Sequence, residues 1–165
     1  MVTTEEYNKS VKSYYNNLYR FLTKFIWDKQ MVKDIIQDCY LKLWERKKNI
    51  DDKKIKSWLF TTAHNAMIDY VKKKQKNIIT YQETLIEIPI QPETKELKEI
   101  IDKALLLLPE IQRSIILLRD LEGYDYNEIG TILSLSESQV KVYLFRARKS
   151  LKDKLKDMRF VYENY

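Results

Sequence analysis

Apolar residues recur at helical spacing through most of residues 5–75 and again from Leu97 to about Met158, so the chain reads as a succession of helices. Three stretches have a pronounced two-sided character. In Ser136–Leu155, Val140, Leu144, Ala147, Leu151 and Leu155 fall on one side, and Lys141, Phe145, Arg148, Lys149 and Lys152 on the other. In Asp28–Lys48, an apolar stripe of Val32, Ile35, Ile36, Cys39 and Leu43 lies opposite Asp34, Gln37, Asp38 and Glu45, with Leu41 among these polar groups. In Ile55–Gln75, Ile55, Leu59, Ala63, Met67 and Tyr70 predict a buried face. Trp58, Thr61, Thr62, Asn65 and Asp69 populate the rest, and Lys72, Lys73, Lys74 and Lys76 close the stretch.

The pattern fails between Asn77 and Glu96, where Pro89 and Pro92 interrupt the chain, and this predicts a linker. Ile78, Ile79, Tyr81, Leu85, Ile86, Ile88 and Ile90 give that segment the means to dock on a surface. An alternating strand there would have no partner strands. The expected architecture is all-α, with two small helical domains, 1–76 and 97–165, joined by the linker 77–96. Each has about 70 residues, a size at which only about 60% of the unfolded surface is buried.

Local signals sharpen the second domain. Pro109 suits a first helical position and Gly123 the end of the same helix. Asp125 and Glu128 have the spacing of an N-cap and its third-position acid. After a short turn, Ser134–Ser136, the pair Ser136 and Gln139 repeats that box. A short helix, a three-residue turn and a long basic helix together make a helix-turn-helix.

Composition narrows the function. Two glycines, three prolines and 44% apolar residues favour ordered helices. A formal net charge of +6 asks for an anionic partner without naming it. No apolar run approaches the roughly 20 residues that span a bilayer, and the N-terminus lacks the regions of a signal peptide. Cys39 is the one cysteine, which fits a reducing cytosol, and with the single His64 it cannot build a zinc site. Cys39 is expected in the core and His64 in packing or at the surface. No P-loop, dinucleotide fingerprint or nucleophile elbow is present, so neither catalysis nor a cofactor is expected.

The second helix of a helix-turn-helix enters the DNA major groove. Seven basic residues and one acid lie between Lys141 and Lys156. Lys141 can reach a guanine acceptor or a phosphate, and Phe145 can pack on a thymine methyl. Arg146 and Arg148 flank the duplex, with Lys149 and Lys152 at phosphates. The patch around Leu41 has the form of a protein contact, an apolar centre with a polar rim, and equally that of a solvated face. Asp34 and Asp38 lack a third metal ligand. The lysines that end Ile55–Gln75 suit an unstacked nucleic-acid strand, and also an ordinary helix C-terminus.

Three segments in register resemble the extracytoplasmic-function branch of the sigma-70 family of bacterial RNA polymerase sigma factors. "DIIQDCYLKLW" is similar to the helix that docks on core polymerase. "IKSWLFTTAHNAMIDYVKKK" resembles the promoter-melting and −10-reading segment, at Trp58, Asn65 and Asp69. "LPEIQRSIILLRDLEGYDYNEIGTILSLSESQVKVYLFRARKSLKDKL" resembles the −35-reading domain. The resemblance implies polymerase docking through Asp34, Gln37, Asp38 and Leu41. It implies −10 contacts from Asn49, Lys54, Lys56, Asn65, Lys72 and Lys73, with a flipped base held in the loop 49–56. It implies −35 contacts from Ser138, Lys141, Val142, Phe145, Arg146, Arg148 and Lys149. Core RNA polymerase, promoter DNA and an anti-sigma factor are the implied partners, in the cytoplasm and without membrane insertion. His64 stands where the family has arginine, Gly130 where it has alanine, and Lys141 and Val142 where it has arginine and a small polar residue, so base preference does not carry over. Two rivals use the same residues: a DNA-binding regulator that never joins polymerase, and a helical adaptor whose basic helix meets an acidic protein.

Overall fold

A computed structural model describes residues 1–80 and 97–163. Seven α-helices run along them: α1 (Thr4–Leu22), α2 (Lys29–Arg46), α3 (Ile55–Thr80), α4 (Leu97–Leu106), α5 (Glu110–Ile116), α6 (Tyr126–Leu133) and α7 (Glu137–Glu163). There is no strand among the described residues. The segment 81–96, including the prolines and most of the apolar residues of the expected linker, lies outside them.

Side-chain caps set several helix starts. Thr3 and Glu6 bond reciprocally at α1, Glu6 Oε2 accepting from Thr3 N at 2.7 Å. Asp28 accepts from Gln30 N and Met31 N to begin α2. Two short 3-10 turns, Lys47–Asn49 and Asp52–Lys54, connect α2 to α3. α3 then continues to Thr80, a turn beyond the expected limit at 76. Loss of the apolar stripe does not stop a helix, because propagation through lysine and glutamine is inexpensive once a nucleus exists.

In the first half α1, α2 and α3 pack on one another. Leu18, Phe21, Leu22, Val32, Ile36, Leu43, Leu59 and Met67 are shut off from water there. In the second, α4, α5 and α6 pack on α7 around Ile115, Leu118, Ile129, Val140, Leu144 and Ala147. Pro109 is the N-cap of α5, with ψ 146°, one residue before the expected first helical position. The ring fixes φ near the helical value in both places; the ψ, which proline leaves free, is what turns outward here. α5 runs into one π-helical turn, Leu117–Leu121, and Gly123 ends it at φ +74°.

The halves also close on each other. α3 packs against α6, and one apolar cluster runs through both halves. The expected face of α3 was Ile55, Leu59, Ala63, Met67 and Tyr70; all but Tyr70 are buried and Tyr70 is half-buried. Phe60 and His64 are buried as well. α3 thus has two buried stripes, and only the one facing its own half is legible from periodicity.

Candidate docking and nucleic-acid interfaces

On α2 the predicted stripe of Val32, Ile35, Ile36, Cys39 and Leu43 is buried, which fixes the opposite face outward. Asp34, Gln37 and Asp38 are exposed, and Leu41 is 55% exposed. Gln30 donates through Nε2 to Asp34 Oδ1 at 3.0 Å. Sequence reasoning missed Trp44, 40% exposed and three residues from Leu41, where helical geometry places it on the same face. Its ring is held edge-on by Tyr7 and covered by the Lys47 ammonium 3.4 Å from its centre. The patch is therefore a leucine and a tryptophan bordered by carboxylates on a rigid floor. Burial pushes the Cys39 thiol beneath it up to about 12, which leaves it unreactive.

The loop between α2 and α3 is pinned by two buried side chains, Ile50 and Ile55. Between and beside them Asn49, Asp51, Asp52, Lys53 and Lys54 are exposed. Asp51 accepts from Lys53 N at 3.0 Å, and that bond holds its carboxyl below the usual range. Asn65, Lys72 and Lys73 are exposed farther along α3. Thr61 and Thr62 donate their hydroxyls to the carbonyls of Ser57 and Trp58, four residues back in the chain. Lys56 stands apart from the other predicted −10 contacts. It is half-buried, with its ammonium 4.5 Å above the ring of Tyr124 in the other half.

The helix-turn-helix is closed by three local devices. Asp125 and Glu128 form a full capping box at α6. Ser136 and Gln139 do the same at α7, at 2.9 and 3.1 Å. Between them Ser134 takes a left-handed conformation, φ +57°, and Leu135 N donates to Gly130 O at 2.9 Å. A Cβ on Gly130 would lie 2.5 Å from Leu135 O, so this turn requires glycine where the resemblance leads one to expect alanine.

The outer face of α7 is as predicted. Ser138, Lys141, Arg146, Arg148 and Lys149 are exposed, as are Val142 (46%) and Phe145 (71%). Lys141 pairs with Glu137 at 3.2 Å. Arg148 forms a two-pronged pair with Asp120, Nη2 to Oδ1 at 2.6 Å and Nε to Oδ2 at 3.2 Å, which raises its pKa. A shallow depression between Phe145 and Tyr126 is edged by Lys141, Arg148, Lys149 and Lys152. Tyr126 was not among the sequence candidates. Its ring carries the Arg119 guanidinium at 4.8 Å and faces Lys141 at 5.6 Å, and only its place beside the N-cap of α6 could have signalled it.

Comparison with known proteins gives the same order of parts. The family model for Sigma-70 region 2 matches residues 10–77, and that for Sigma-70 region 4 matches residues 98–151. The chain is 34% identical over 145 residues to the ECF RNA polymerase sigma factor SigM of Bacillus subtilis (strain 168), covering 84% of this chain and 88% of that protein. It is 24% identical to SigW of the same strain over 164 residues, 90% of this chain and 88% of the other. Among solved structures, the sigma factor RpoE in complex with the anti-sigma factor NepR from Bartonella quintana is similar at a TM-score of 0.75. Identity there is 22%, with 93% of this chain and 98% of that one covered. CnrH in complex with the cytosolic domain of CnrY is similar at a TM-score of 0.69 and 20% identity, over 92% and 88% of the two chains.

Proposed function

Because the chain belongs to the extracytoplasmic-function branch of the sigma-70 family of RNA polymerase sigma factors, we propose that its three exposed surfaces carry successive steps of promoter recognition. As a sigma factor it directs core RNA polymerase to specific promoters and initiates transcription there.

Asp34, Gln37, Asp38 and Leu41 dock on core polymerase, with Trp44 extending the apolar centre. The pinned loop receives a base unstacked from the −10 strand, an extrusion that costs a few kcal/mol in duplex. Asn49, Lys54, Lys56, Asn65, Lys72 and Lys73 line that strand. At the −35 element, Ser138, Lys141, Val142, Phe145 and Arg146 face base edges, while Arg148 and Lys149 meet phosphates. Arg148 uses Nε and Nη2 on Asp120, which leaves Nη1 for a phosphate and presets the side chain's direction.

Binding energy drives promoter opening in this account. The factor performs no catalysis of its own and needs no cofactor. The division into 1–76, 77–96 and 97–165 belongs to the same reading, supported by the two regions matched. So do a cytoplasmic location, no insertion in the membrane and control by an anti-sigma factor; no helix among the described residues is long and apolar enough to cross a membrane.

The observation that carries the reading is the outward-facing Leu41 patch on the same chain as a capped, basic helix-turn-helix, since a simple DNA regulator leaves that patch without a purpose. Leu41→Glu is expected to abolish binding to core polymerase in a pull-down while leaving helicity intact. Undiminished binding by this variant would remove α2 as the docking element.

A further inference from the structure

The three surfaces above do not account for all the exposed apolar side chains. Leu41 and Trp44 belong to the α2 patch, and Val142 and Phe145 to the outer face of α7. Leu97, Leu107, Leu121 and Trp27 have no such use, and they gather about α4. Leu97, 70% exposed, begins that helix, and Leu107 follows its last residue. Trp27 shares a depression with Leu105 and Leu106, while Leu97 and Leu121 edge a separate groove.

That groove has a volume of about 560 Å³, within the roughly 300–1,000 Å³ of small-molecule sites. Its walls are Ile101 and Leu105 of α4, Ile116 of α5, Leu117 of the π-helical turn and Leu151 of α7. Leu105, Ile116 and Leu117 are buried, and Ile101 and Leu151 are half-buried. The polar residues that line it are Arg20, Lys24, Lys98, Asp102 and Asp120. Both acids are already engaged, Asp102 by Lys24 at 2.7 Å and Asp120 by Arg148 at 2.6 Å. Arg20 gives Nη2 to Glu122, and its side chain remains 48% exposed. Lys98 is exposed and has no ion-pair partner among the described residues.

Such walls and such a rim suit a ligand of two parts. The apolar walls offer no hydrogen-bonding side chain, so an extended peptide or a sugar would leave amides or hydroxyls unsatisfied against them. An acyl chain carries no such groups. The rim keeps cationic capacity after its acids are paired, which calls for an anionic head. A second copy of the chain fits less well, because each copy carries a net charge of +6 and the two repel.

We propose that the groove between α4, the π-helical turn and α7 binds a single-chain anionic amphiphile, a fatty carboxylate. The chain lies along Ile101, Leu105, Leu117 and Leu151, and the head meets Lys98 and Arg20. The site shares no residue with the Leu41 patch or with the depression beside Phe145, so it stands independently of the promoter-recognition reading. Occupation stabilises the folded chain by mass action.

The test uses the full chain and sodium decanoate held below its micelle-forming concentration, read by isothermal calorimetry and thermal unfolding. The wild type should bind one equivalent saturably and unfold at a higher temperature when loaded. Each methylene removed from the ligand should weaken binding about fourfold where the chain is fully buried. Decanol and decyltrimethylammonium, which lack the anionic head, should bind at least about tenfold more weakly. Lys98→Glu, at an exposed position, should weaken decanoate by about tenfold or more and leave decanol unaffected. Ile101→Trp fills the groove and should weaken both, with circular dichroism confirming that helicity is kept.

Decanoate binding untouched by Lys98→Glu, or no stronger than that of decanol, would overturn the anionic head. Binding untouched by Ile101→Trp would place the ligand elsewhere, and no saturable binding below the micelle-forming concentration would remove the site. Binding confined to phosphatidylglycerol vesicles would make this face a membrane contact. Self-association that Ile101→Trp abolishes would make it an interface between copies. Either of these last results would also overturn the proposal.

Discussion

Gly130 is the position where two residue-level effects oppose each other most directly. Alanine would gain about 1 kcal/mol of helix propensity in α6. Its Cβ, however, would press on a backbone carbonyl that cannot rotate away, and overpacking of that kind costs about 1–3 kcal/mol. Gly130→Ala should therefore lower stability by up to about 2 kcal/mol in urea unfolding; a rise in the midpoint would contradict the geometry. His64 gives a prediction with a definite sign. Burial lowers its pKa from 6.5 to about 4, with Ser114 and Phe21 as its neighbours. The unfolded chain then binds a proton that the folded chain refuses, so this group's contribution is complete above pH 6.5 and is lost as pH falls toward 4. The loss amounts to about 2 kcal/mol at pH 5. His64→Gln should flatten that part of the stability profile measured between pH 7.5 and 5, and an unchanged profile would refute the assignment. Neither behaviour was legible in the sequence. A glycine inside a helix and one histidine on α3 announce nothing until Leu135 O and Ser114 stand beside them.

At the scale of elements, the parts with short-range causes were legible. Both capping boxes of the helix-turn-helix form as the spacing of Asp125 with Glu128 and Ser136 with Gln139 requires. The faces of α2 and α7 divide where the 3.6-residue period divides them, so the exposed Leu41 and Phe145 were identifiable in advance. The parts with long-range causes were not. Phe60 and His64 form a second buried stripe because α5, α6 and the turn before α6 cover them, and a period carries no information about a partner fifty residues away. Lys56 fell among the −10 candidates, but its aromatic partner is likewise visible only in three dimensions. The cap at Ser136 also supports a measurable expectation: Ser136→Ala should destabilise the start of α7 by about 1 kcal/mol. The same change should weaken binding to duplex DNA, since the first turns of α7 are those nearest the bases. Unaltered DNA affinity together with lowered stability would separate the cap from recognition.

At the scale of the whole molecule, the charge excess and the contact between the halves stand out. The excess of +6 and the cations of α7 draw the chain toward DNA, while α3 and α6 hold the two halves in contact. If α7 neutralises about five phosphates, log K should fall with log salt at a slope near about −4.5. Phe145→Ala should weaken specific binding while leaving that slope unchanged, because it removes a base contact and no charge. The most direct measurement of the central claim is run-off transcription by purified core polymerase from the promoter upstream of the chain's own gene. The account predicts initiation that depends on the protein and is abolished by Leu41→Glu. Initiation unaffected by Leu41→Glu, or none with a core polymerase that supports other sigma factors of the same branch, would contradict it.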